Sequence, residues 1–136
     1  RKHGMTDSPK PVVLAPDILL RALHYPEEYR VLLLWRDGLI LPVVTRPLLL
    51  QYLKLFRKAG IEERTLKKWI LWLTSKEKAR YLEEVEGEGG IQESLVEAAR
   101  AGEAELITNL RMPDTLQDSG VLLMSPKDLS AFMKSN

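Results

Sequence analysis

Four short apolar runs constrain this chain more than any other feature: PVVL at 11–14, LILPVVT at 39–45, ELIT at 105–108 and VLLM at 121–124. Each is too short to be a helix of its own. Each is followed by a segment whose apolar residues recur at helical spacing. Continuous apolar character, with no polar alternation, suits strands covered on both faces. Strands that alternate with helices pair in parallel, because each connection must cross back over the sheet. The expectation is therefore a three-layer α/β/α sandwich around a mainly parallel sheet of about four or five strands.

The intervening segments carry helix signals. Ile18, Leu19, Leu20, Ala22 and Leu23 form a first short helix, with Pro16 as its first residue or Asp17 as its cap. Pro26 breaks it, and a second helix runs from about Glu27 to Trp35, with Gly38 just beyond its end. Pro42 within the second apolar run predicts an edge strand or an irregular ladder. Arg46–Lys58 has an apolar face of Leu49, Leu50, Leu53 and Phe56, and Gly60 follows it. The next helix spans about Glu62–Leu73, with Leu66, Trp69, Ile70 and Leu73 as its buried stripe and Trp72 off that stripe. Thr74 or Ser75 caps a further helical segment to about Leu82, and Tyr81–Val85 also reads as a short strand. EEVEGEGG is a loop; Ile91–Ala101 is a helix with Gly102 at its C′ position. A short helix is expected from Pro113, and a closing helix follows Ser125 as N-cap with Pro126 at its first position.

Composition narrows the chemistry. The chain has 136 residues, which is one domain with enough surface to bury a core unaided. Arg1–Gly4 read as the remnant of an expression tag before Met5. Residues 1–10 then form a disordered tail and 11–136 the domain. Without cysteine there are no disulfides, zinc–thiolate sites or thiol nucleophiles, which suits a reducing, cytoplasmic setting. No apolar run is long enough to span a bilayer, and the polar start is unlike a signal peptide. Twenty Lys and Arg balance 19 Asp and Glu, so total charge names no partner. Charge by region says more. Residues 54–80 are rich in Lys and Arg and interleave Trp69 and Trp72, whereas 83–105 are acidic. A basic helix pair can track a nucleic-acid backbone, with Arg57, Lys58, Arg64, Lys67 and Lys68 as the contacts; the alternative is a solvated amphipathic hairpin with its tryptophans in the core. Neither a phosphate-binding G-x-x-x-x-G-K-[ST] loop nor a dinucleotide fingerprint is present. His24, Ser75 and Ser125 have no partners at catalytic spacing.

Parallel sheets bind ligands at the carboxyl ends of their strands, which directs attention to Ala15–Asp17, Thr45 and Thr108–Leu110. Four stretches there resemble PIN domains, the ribonuclease fold of many toxin–antitoxin toxins. They are VVLAPDILLRAL, VVTRPLLLQYLKLF, SLVEAARAGEAELITN and VLLMSPKDLSAFM. The resemblance implies a cluster of three or four carboxylates holding magnesium or manganese, which activates water for attack on a phosphate. The family's opening strand ends Asp-Thr-Asn; the matching residues are Ala15, Pro16 and Asp17. Its helix acid falls on Gln51, its third acid near Ile91 beside Gly90, and its fourth on Asn109 or Leu110. The metal-binding acids are thus replaced. The resemblance then implies an inactive scaffold without cofactor, acting through RNA or an antitoxin-like protein, and a homodimer. The alternative is a Mg- or Mn-dependent endoribonuclease with acids relocated to Asp17, Glu93 and Asp114, with Glu88 in reach from its loop. For Asp17 the competing reading is the helix cap.

Overall fold

The computed structural model describes residues 8–85, 87, 89–109 and 120–135. These residues form the strands β1 (Lys10–Leu14), β2 (Ile40–Thr45), β3 (Arg80–Leu82), β4 (Glu105–Ile107) and β5 (Leu123–Met124). The helices are α1 (Pro16–Ala22), α2 (Pro26–Arg36), α3 (Arg46–Lys58), α4 (Glu63–Thr74), α5 (Ile91–Gly102) and α6 (Pro126–Ser135). The sheet order is β3-β2-β1-β4-β5, and every pairing is parallel. This is the α/β architecture that the alternating apolar runs predict, and it is consistent with an α/β/α sandwich. Leu110, Asp114, Glu88 and the helix expected from Pro113 lie outside the described residues.

The order of strands explains the apolar runs. β1 is the central strand, and Val12, Val13 and Leu14 are fully buried. From β1 the chain builds outward to β2 and β3, then returns across the sheet to place β4 on the other side of β1. The direction of winding therefore reverses between β1 and β4, which makes their carboxyl ends the topological switch point. Aromatic side chains fill the core beside β2. Tyr52 and Phe56 of α3 stack at 5.6 Å, and Phe56 meets Trp69 of α4 edge-on at 5.1 Å. Trp72, off the buried stripe, is half-buried and meets the buried Trp35 of α2 edge-on at 5.0 Å.

Several local expectations are corrected by tertiary contacts. β1 begins at Lys10, inside the expected tail, because its backbone N–H donates to Leu39 O and its ammonium pairs with Glu105 at 2.7 Å. β2 lies inside the sheet. Pro42 pairs with Val12 of β1, and the β3 pairing starts only at Val43, so the missing donor of Pro42 faces no β3 partner. The segment after Thr74 is a turn instead of a helix. The Ser75 hydroxyl accepts from Glu77 N–H, and the chain must extend by Arg80 to pair with Val43. Gly102 is the last residue of α5, and Glu103 takes the left-handed conformation expected of Gly102 (φ 51°). Glycine is needed at 102 for space: a Cβ there would lie 2.6 Å from Val43 Cγ1. Ser125 caps α6 as expected, accepting from Asp128 N–H at 3.1 Å.

Candidate functional site

The switch point is joined by one side chain. Ala15, buried at the tip of β1, is the N-cap of α1, and its N–H donates to Ile107 O of β4 at 3.0 Å. Pro16 is the first helical residue, as proline's fixed φ favours. Asp17 is therefore one residue inside the helix and does not cap it. Its carboxylate crosses to the end of β4, where Oδ1 accepts from the Thr108 hydroxyl and Oδ2 from the Asn109 N–H, both at 3.0 Å. The sequence reading placed Asp17, Thr108 and Asn109 separately at strand ends; the fold brings the three together.

A second carboxylate stands beside this link. Glu28, in the first turn of α2, is only 2% exposed. Its Oε2 accepts from Arg21 Nε and from Asn109 Nδ2, each at 2.5 Å. The Arg21 guanidinium also lies over the exposed Tyr25 ring, 4.1 Å from its centroid. Arg21, Tyr25, Pro26, Glu27, Glu28 and Asn109 line an open cleft of about 540 Å³. Burial pushes the Asp17 carboxyl above its ordinary value. Donors from Asn109 and Thr108 pull it back, and the neighbouring Glu28 charge pushes it up again. Beneath, the buried Tyr52 hydroxyl donates to Leu14 O at the tip of β1, and burial holds this phenol well above its usual range. Tyr52 is thus a neutral, fixed donor.

Glu28 and Arg21 were missed from the sequence, although a signal existed for the first. Glu28, Val31 and Trp35 share one helix stripe, and all three are buried. A carboxylate on the apolar stripe of a helix needs a partner. Arg21, across the α1–α2 turn, is that partner.

The remaining candidates separate into local roles. Gln51 Nε2 donates to Gly89 O at 3.2 Å, which ties α3 to the loop before α5. Ile91 begins α5 and is half-buried, and Glu93 Oε1 accepts from Gly90 N–H at 3.4 Å, closing the helix start. His24 is exposed in the turn after α1. Arg57, Lys58, Arg64, Lys67 and Lys68 are all exposed at the end of α3 and the start of α4. Their side chains enter none of the ion pairs among the described residues, which join Lys10–Glu105, Arg21–Glu28 and Arg36–Asp37.

A divalent ion of the magnesium type is held by carboxylate, carbonyl and water oxygens. Here both Asp17 oxygens accept protein hydrogen bonds, and the Glu28 oxygen Oε2 is shared by an amide and a guanidinium. Among the described residues, no three carboxylate or imidazole groups converge to hold a metal. The described residues at the switch point thus offer two carboxylates, both hydrogen-bonded to protein groups, with Glu28 paired to Arg21. What they can do is fix the ends of β1 and β4 relative to α1 and α2, and present a guanidinium, a phenol ring and an amide to the cleft. No helix among the described residues is long and apolar enough to cross a membrane. Comparison with family models, curated proteins and solved structures gave no match, so the PIN resemblance rests on the four sequence stretches quoted above.

Proposed function

We propose that this chain is a PIN-like scaffold that works as an RNA-binding module instead of a metal-dependent nuclease. The observation that carries the reading is the α3–α4 hairpin. Arg57, Lys58, Arg64, Lys67 and Lys68 are exposed there, and none of the five has an ion-pair partner among the described residues. The tryptophans of the same hairpin pack inward, Trp69 on Phe56 and Trp72 on Trp35, so its outer surface is basic instead of aromatic. Such a surface contacts phosphates and does not select sequence. The hydrogen-bonded state of Asp17 and Glu28 supports the non-catalytic half of the reading.

The electrostatic model gives a magnitude. Five phosphates neutralised on a single strand give a log–log salt slope of about −3.5. Affinity then falls about a hundredfold between 50 and 200 mM salt. The test is fluorescence anisotropy of a labelled single-stranded RNA against salt, with the Lys67→Glu/Lys68→Glu variant beside the wild type. Weak salt dependence, or unchanged affinity of the variant at low salt, removes the hairpin from the account. Incubation of the same RNA with manganese, against an EDTA control and Asp17→Asn, tests the nuclease alternative. Metal-dependent cleavage lost in the variant would replace the proposal.

A further inference from the structure

On the hairpin, one tryptophan carries two cations. Lys68 and Trp72 are four residues apart on α4, so the lysine lies over the ring, with Nζ 5.0 Å from its centroid. Lys78, from the turn after α4, places its Nζ 5.1 Å from the same ring. Lys78 is held at both ends. Its ammonium donates to Arg36 O at the end of α2 at 2.6 Å, and its own carbonyl accepts from Trp35 Nε1 at 2.7 Å. Trp72 in turn is fixed edge-on against Trp35, with an interplanar angle of 83°.

Two ammonium groups are therefore held no more than about 10 Å apart, which is of the order of the Debye length at physiological salt. Neither enters an ion pair among the described residues. Their mutual repulsion is offset by the ring quadrupole and, for Lys78, by the Arg36 carbonyl. A phosphate whose oxygens reach both would relieve it. A nucleobase, in contrast, could not stack on Trp72 without displacing a cation.

We infer that Lys68 and Lys78, gathered over Trp72, form a clip for one phosphate group, and that the clip reads charge without reading the base. The RNA-binding reading supplies the source of that phosphate, a strand backbone; the clip itself is an anion site. It also explains why an indole among basic residues is half-buried and covered instead of offered as a stacking platform.

The test measures binding of oligouridylate and oligoadenylate to the wild type and to Lys78→Gln, whose cation lies outside the five contacts counted above, each across a salt series. The expected result is a slope shallower by about 0.7 in the variant, with the same fractional loss of affinity for both oligonucleotides. An unchanged slope overturns the clip and leaves the RNA-binding reading in place. A wild-type preference of tenfold or more between the two oligonucleotides also overturns it, because the site would then be reading bases. Inorganic pyrophosphate separates the two ideas. If the wild type binds no RNA, the RNA reading fails, and the melting temperature with pyrophosphate decides the clip. A rise in the wild type and in Lys67→Gln, lost in Lys78→Gln, upholds it. No rise, or an equal rise in all three proteins, overturns it.

Discussion

Replacing Asp17 by asparagine and by alanine separates what this side chain does for the fold from what its charge costs. The carboxylate accepts two hydrogen bonds at 3.0 Å, from the Thr108 hydroxyl and the Asn109 amide, and so joins α1 to the end of β4. Alanine removes both. Bonds to a charged acceptor contribute about 1.5–3 kcal/mol each when fully buried. Asn109 is exposed, so its N–H regains water, and the carboxylate's own desolvation is relieved. The expected net loss for Asp17→Ala is about 1–2 kcal/mol, or roughly 3–10 °C in Tm. Asparagine keeps the shape: its carbonyl can accept from Asn109 N–H and its amide can donate to the Thr108 hydroxyl oxygen. It does not titrate. The folded-state Asp17 carboxyl is raised above its ordinary value of 3.8 by burial first, and by Glu28 besides. A raised carboxyl contributes stability below its unfolded value, and that stability is lost as pH rises through the folded value. Asp17→Asn should therefore match the wild type in acid and gain on it as pH rises to neutrality. Urea denaturation at several pH values between 3 and 7 reads this directly. A wild type that gains on Asp17→Asn as pH rises would refute the reasoning, since Asp17 would then be stabilised in its charged form.

Other contacts give sharper structural tests. Gly102→Ala should destabilise by about 1–2 kcal/mol, because overpacking against Val43 outweighs the small gain in helix propensity at the last residue of α5. The double variant with Val43→Ala should cost less than the two single changes together, and thermal melts showing strict additivity would contradict the contact. Tyr52→Phe should cost about 1–2 kcal/mol in chemical denaturation by leaving the Leu14 carbonyl without its buried donor. Ser125→Ala should lose about 1 kcal/mol through the α6 cap, and a change below a few tenths would show that the cap is dispensable.

The legibility of the candidate site follows the range of the forces involved. Ala15–Asp17 and Thr108–Asn109 could be found from sequence because strand ends are local events, marked by a short apolar run and the turn after it. The pairing of Asp17 with Thr108 and Asn109 could not, since 91 and 92 residues separate the partners. Helix capping by Asp17 was a sound local expectation, but with Pro16 at the first helical position the cap falls two residues earlier, on Ala15. Glu28 was legible in part, through its place on the stripe with Val31 and Trp35. Its partner Arg21 was not, because the turn between α1 and α2 sets their approach.

By itself the sequence determined the class of fold. Short apolar runs, helical periodicity between them, and Pro, Gly and Ser at helix boundaries act over a few residues, and they specify strand and helix wherever the chain finally lies. Only the tertiary structure decided the order of the strands, and with it everything that depends on neighbours. It put Pro42 inside the sheet, made Lys10 part of β1, and turned the residues after Thr74 into an approach to β3. It also closed Gly102 onto Val43 and placed two carboxylates and a guanidinium at one switch point. The reason is physical. Parallel pairing and the link from Asp17 to Thr108 draw their free energy from groups far apart along the chain, so no local window contains both partners.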